Sequence, residues 1–168
     1  MDNDLIGPIP SEIGDLLNLT GLFLGDNPIN DLIPIKIINL TNLTNLQMPN
    51  CGLIGSIPNE ISNMVSLQLL ILNNNHLTGT IPDNVFINNS DVYTLDLSHN
   101  QLTGEIPSGI TTAIGLDYLL LNNNYLTGPI PTDIGNLNDL ESLKLDYNQI
   151  SGVIPVSYTH LTLPTKRI

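Results

Sequence analysis

The 168-residue chain is predicted to fold as a solenoid of short stacked coils, and two regularities predict it. Ile-Pro pairs end at Pro10, Pro34, Pro58, Pro82, Pro107, Pro131 and Pro155, with steps of 24, 24, 24, 25, 24 and 24 residues. Seven residues before each proline stands Asn3, Asn27, Cys51, Asn75, Asn100, Asn124 or Asn148. A fixed period of this length marks an array in which no coil can bury its apolar face alone and each must stack on its neighbours.

Each coil begins with a short strand. Leu22/Leu24, Leu46/Met48, Leu70/Leu72, Leu95/Leu97, Leu119/Leu121 and Leu143/Leu145 alternate with other residues, the period-two signature of a strand with one buried face. In the unit around Asn124, Leu126, Ile130 and Ile134 continue inward around the rest of the coil. Each buried aliphatic side chain contributes roughly 1.5–3 kcal/mol. The asparagine follows the strand, where backbone groups leave the sheet and turn inward; its amide both donates and accepts, so a column of them can bond one coil to the next. Cys51 is expected to fill that column as a weaker donor. Glycine follows four residues later at Gly7, Gly55, Gly79, Gly104, Gly128 and Gly152, permitting a bend that a side chain hinders. Asp31 breaks this series, which predicts a local irregularity in the second unit. The prolines fix φ and remove a donor, suiting an extended segment on the outer side that takes no part in a strand ladder.

These residues resemble the plant-type leucine-rich repeat, with its pattern LxxLxxLxLxxNxLxGxIP. Leu77–Pro82 (LTGTIP), Leu102–Pro107 (LTGEIP) and Leu126–Pro131 (LTGPIP) match it fully. The resemblance covers Asp2 to Pro155. It implies an α/β-type solenoid: a right-handed coil with a concave parallel β-sheet and loosely structured, irregular or 3-10 convex segments. It also implies recognition of a protein or peptide outside the cell or at its surface, as in the ectodomains of receptor-like kinases and receptor-like proteins. A secreted inhibitor of cell-wall-degrading enzymes, similar to the polygalacturonase inhibitors, is the alternative, and an ice-binding protein is a more remote one.

Sixteen Asp and Glu face four Lys and Arg, for a net charge of −12. A basic face is what phosphate binding needs, so nucleic acid is excluded as a partner, while an acidic balance suits solubility and a cationic partner. No stretch reaches the roughly 20 apolar residues that span a membrane, so this segment is expected to touch no membrane itself. No signal peptide or capping coil is visible, and the chain reads as a fragment whose continuation would carry any tether. Residues 1–155 form the repeat solenoid. The remainder, 156–168, falls outside the repeat, because Pro164 stands where an apolar residue is due; Tyr158–Ile168 resembles translated sequencing-adapter read-through. Asn18, Asn39, Asn42 and Asn88 begin N-glycosylation sequons. Cys51, the single cysteine, is expected to be buried and unreactive.

Strand phase assigns the concave face. Phe23, Gln47, Ile71, Asp96, Leu120 and Lys144 share one row, and Gly21, Asn45, Leu69, Thr94, Tyr118 and Ser142 the other. Leu69, Ile71, Tyr93, Tyr118 and Leu120 are expected to form one continuous apolar patch with aromatic character, of the kind recognition surfaces use. Asp96, Asp117, Glu141 and Lys144 would margin it. Asp117 and Glu141 hold equivalent places on adjacent strands, where like charges favour a cationic partner between them. Two carboxylates are too few convergent oxygens for calcium, and no metal or other cofactor is expected. Asp96, Ser98 and His99 lie along one strand and its turn rather than around a pocket, so no catalytic activity is expected.

Overall fold

The computed structural model describes residues 3–156; the expectation for Tyr158–Ile168 lies outside them. The ten strands are β1 (Gly21–Phe23), β2 (Asn45–Gln47), β3 (Ile54–Gly55), β4 (Leu69–Ile71), β5 (His76–Leu77), β6 (Thr94–Asp96), β7 (Thr103–Glu105), β8 (Tyr118–Leu120), β9 (Tyr125–Thr127) and β10 (Ser142–Lys144). The main sheet has the order β1-β2-β4-β6-β8-β10, with every pair parallel. Leu22, Leu46, Leu70, Leu95, Leu119 and Leu143 face one another in register. All six are buried, so the predicted alternation places the core on one side of a concave sheet.

After five of the prolines the chain turns into a short 3-10 helix: Ser11–Asp15, Ile35–Asn39, Asn59–Asn63, Ser108–Thr112 and Thr132–Asn136. Each proline caps its helix from an extended conformation, with φ between −53° and −70°. Its carbonyl accepts from the N–H three residues on, as Pro10 does from Ile13 at 3.0 Å. The coil that follows Pro82 carries the one extra residue, and here successive turns replace the helix. Phe86 drops into the core. Asn89, also buried, donates from Nδ2 to the carbonyls of Met64 at 3.2 Å and Leu67 at 2.6 Å.

The convex side is more ordered than the expectation of loosely structured segments. β3 pairs with β5 and β7 with β9, both parallel, and bridges join Leu32 to Ile54 and Thr80 to Thr103. These pairings run two positions out of phase with the repeat, as in Ile54 opposite His76, so period counting does not reveal them. The glycine column shares positive φ, from +72° to +97°, and at Gly55 a Cβ would also stand 2.4 Å from Leu32 Cδ2. The irregularity expected at Asp31 is present. Asn30 takes a left-handed conformation with φ of 52°, and Asp31 Oδ1 accepts from the N–H of Leu32 at 2.6 Å.

The asparagine ladder forms as the residues require. Asn75 Oδ1 accepts from the N–H groups of Cys51 at 3.0 Å and Leu53 at 2.9 Å, while its Nδ2 donates to the carbonyls of Met48 and Leu72. Asn100 Oδ1 serves Leu77 N–H, and Asn124 Oδ1 serves Leu102 N–H. Asn148, half-buried, does the same for Leu126, and Asn27 for Leu5. Cys51 donates from Sγ to the carbonyls of Leu24 at 3.1 Å and Pro49 at 3.3 Å. Burial pushes its thiol up in pKa, with the N–H of Asn27 opposing. Asn3 departs from the expectation: it is exposed, and among the described residues no earlier coil lies against it for its amide to bond.

Candidate functional site: the concave face

Cross-strand register assembles the inner face in two rows. Leu69, Thr94, Tyr118 and Ser142 lie side by side, as do Ile71, Asp96, Leu120 and Lys144. Tyr118 and Lys144 are exposed, and Leu69, Ile71, Asp96 and Leu120 are half-buried. The expected continuous apolar patch is therefore two patches. β6 sets Thr94 and Asp96 between the Leu69/Ile71 pair and the Tyr118/Leu120 pair. Phase alone found the face but did not weigh what the middle strand puts on it. Tyr93, Asp117 and Glu141 stand one residue ahead of β6, β8 and β10, on the leading rim of the sheet. Tyr93 and Glu141 are exposed, and Asp117 is half-buried.

The carboxylates are tied to these neighbours. Tyr118 donates its hydroxyl to Glu141 Oε2 at 2.5 Å, bridging β8 and the start of β10. That bond, reinforced by the charge of Glu141, raises the Tyr118 phenol above its ordinary value. Asp117 is also raised, first by desolvation and then by the charges of Glu141 and Asp139. Asp96 Oδ1 accepts from Ser98 Oγ at 2.6 Å and from Ser98 N–H at 3.0 Å. The His99 ring lies beside the neighbouring coil, its Nε2 3.4 Å from Asn123 Nδ2.

Along the trailing rim runs a feature the sequence reading missed. Asp26, Asn50, Asn74, His99, Asn123 and Tyr147 all adopt left-handed backbone with φ of 53° to 59°. Each immediately precedes a ladder residue. Asn, Asp and His tolerate this region better than most side chains, so the asparagine doublets ahead of Asn75 and Asn124 were the available signal. Asp26 Oδ1 accepts from Asn50 Nδ2 at 2.8 Å along the same rim. Phe23, on β1, and Tyr147 are exposed aromatics at that end of the coils. Asn18, Asn39, Asn42 and Asn88 are all exposed and away from the inner sheet; Asn42 Nδ2 donates to the carbonyl of Leu17 at 2.9 Å.

Parallel coils clasped by asparagine amides, with the strand leucines and the Leu and Ile of LxGxIP turned toward the core, define a leucine-rich solenoid. The Leucine Rich Repeat profile matches residues 42–64, 66–86, 91–113, 115–137 and 139–161, and the chain belongs to that family. Among solved structures it is similar to the ectodomain of the Arabidopsis thaliana receptor kinase GASSHO1/SCHENGEN3 in complex with CASPARIAN STRIP INTEGRITY FACTOR 2. The TM-score is 0.92 at 40% identity, covering 96% of this chain and 19% of that one. It is similar also to the Arabidopsis receptor kinase HAESA in complex with the peptide hormone IDA and the co-receptor SERK1, with TM-score 0.92, 38% identity, and 98% and 28% coverage. A plant ice-binding protein superposes less closely, with TM-score 0.74, 27% identity, and 97% and 68% coverage. The chain thus spans less than a third of either receptor chain. No match was found among curated proteins.

Proposed function

We propose that this chain is a ligand-recognising, non-enzymatic segment of a plant receptor-like ectodomain, working outside the cell and engaging a peptide or protein on its concave face. One observation carries the reading: Tyr118 and Leu120 stand on the inner sheet beside the carboxylates of Asp117 and Glu141. An apolar anchor with an acidic margin suits a ligand that presents an aliphatic or aromatic side chain next to Lys or Arg. The receptors it resembles supply the context, one an LRR ectodomain in complex with its factor and the other a receptor kinase in complex with a peptide hormone. The mixed rows of the inner face do not offer the regular Asn and Thr lattice that an ice surface would call for.

Area sets the strength. Six strands at about 4.8 Å spacing, each three residues long, give an inner face on the order of 300–450 Å². A standard interface buries about 800 Å² per partner, so this segment binds weakly by itself and shares its ligand with neighbouring coils.

Panning a displayed random-peptide library against the immobilised protein tests the reading. Captured peptides are expected to combine an aliphatic or aromatic residue with Lys or Arg, and capture is expected to fall with Tyr118→Ala or Leu120→Ser. Thr80→Ala and Ser108→Ala, on the outer side, should leave it unchanged. Equal losses from both sets, or losses from the outer set alone, would remove the concave face from consideration.

A further inference from the structure

The coil with the extra residue carries a second unexplained feature. Val65, Ile87 and Ile114 are 49%, 62% and 60% exposed, three aliphatics on three consecutive coils. In the coils directly on either side, the places equivalent to Val65 and Ile114 are held by Thr41 and Asn138, both exposed and polar; exposed Leu17 holds this place one coil beyond Thr41. Exposed aliphatic clusters mark surfaces that something covers.

The turn 88–90 lies within this cluster. Asn89 pins it to the preceding coil through the carbonyls of Met64 and Leu67, the residues that bracket Val65. On the other side, a Cβ on Gly115 would stand 3.4 Å from the carbonyl oxygen of Ser90, and Ile114 is the residue just before it. Thr112 Oγ1 also donates to the carbonyl of Phe86 at 3.1 Å. Asn88-Asn89-Ser90 is a sequon, so Val65 and Ile114 flank it and Ile87 precedes it directly. Asn88 is exposed, and among the described residues its amide has no hydrogen-bond partner. Asn42, by contrast, uses its amide to bond one coil to the next.

We infer that Asn88 carries an N-linked glycan whose first sugars lie over the Val65–Ile87–Ile114 ridge. The inference rests on the reading of this chain as extracellular. In the transfer, Asn88 Nδ2 attacks the anomeric carbon of a lipid-linked oligosaccharyl diphosphate. The C–N bond forms as the C–O bond to the diphosphate breaks; the lipid diphosphate leaves, and one amide proton goes to solvent. Sugar rings present C–H faces as well as hydroxyls, so they can shield aliphatic carbon from water while keeping a wet outer surface.

Protein captured from its native tissue, deglycosylated by an amidase in heavy-oxygen water, marks every occupied asparagine as labelled aspartate. Label at Asn88 is the expected result. A bare Asn88 beside labelled Asn18 or Asn39 overturns the inference and leaves the extracellular reading standing; bare asparagines at all four sequons overturn both. Covering is read separately on protein secreted from a glycosylating host. Asn88→Gln should raise binding of an apolar-sensitive dye severalfold, and adding Ile87→Ser and Ile114→Thr should reverse the rise. Unchanged dye binding in Asn88→Gln shows that the sugar does not lie on the ridge. Dye binding raised in both variants alike places the exposed apolar surface elsewhere.

Discussion

Asn75 accepts at 3.0 Å from the backbone N–H of Cys51, but Cys51 has only sulfur to offer the N–H of Asn27 in return. Elsewhere in the ladder an amide oxygen takes the N–H two residues past the preceding ladder position, as Asn100 does from Leu77 and Asn124 from Leu102. The N–H of Ile29, which an oxygen at position 51 would reach, turns instead to the carbonyl of Asn27 at 2.8 Å. The donor half of the position is intact, since the thiol meets the carbonyls of Leu24 and Pro49.

Cys51→Asn should therefore stabilise the protein, by about 1 kcal/mol for a restored buried hydrogen bond. The check is the midpoint of chemical denaturation. A lower midpoint would mean the second coil is shaped around sulfur, in keeping with its irregular Asn30 and Asp31.

Asn124→Leu is the converse. It removes the acceptor of Leu102 N–H and the donor to the carbonyls of Leu97 and Leu121. An orphaned buried group costs about 1–3 kcal/mol, and a fall of that order in unfolding free energy is expected. An unchanged midpoint would sink the ladder assignment.

Phe86→Ala empties the space that the extra residue fills. Truncations of buried phenylalanine cost about 3–5 kcal/mol, and the loss should appear in thermal and chemical unfolding alike. A cost below about 1 kcal/mol, smaller than any full cavity leaves, would show that the 83–91 segment does not depend on its aromatic.

Asp117→Asn should stabilise at neutral pH. A carboxyl raised in the folded state contributes stability that is complete below its unfolded value, near 3.9, and is lost as pH rises through the folded value. The Asn variant carries no charge at any pH, so its advantage should grow from about pH 4 upward and vanish in more acid solution. Salt should shrink it, because the site is partly exposed. An advantage independent of both pH and salt would assign the effect to packing.

Most of the fold was legible because its determinants repeat. Leu22 through Leu143 and Asn27 through Asn148 hold one phase, and their chemistry states which way each faces. What escaped obeys a different rule at each place. The pairing of Ile54 with His76 is out of phase with the repeat. The left-handed backbone at Tyr147 is imposed by the turn and not signalled by its side chain. Phe86 is buried by a one-residue insertion, which period counting registers only as a longer step. On the inner face, phase named Tyr118 and Leu120 correctly, but the bond to Glu141 depends on the reach of side chains from neighbouring coils.

Each ladder amide spends its bonds on its own coil and the coil beside it, and on nothing farther away. A gene encoding such a chain can gain or lose one whole period by unequal recombination, and the rejoined ends meet surfaces already shaped for each other. Insertions of any other length must be absorbed outside the strand and the asparagine ladder. The stretch after Pro82 shows such a place, keeping its additional residue clear of both strand and ladder. Length variation among descendants of this gene is therefore expected in steps of about 24 residues, with odd-sized changes gathered in the segment between proline and strand.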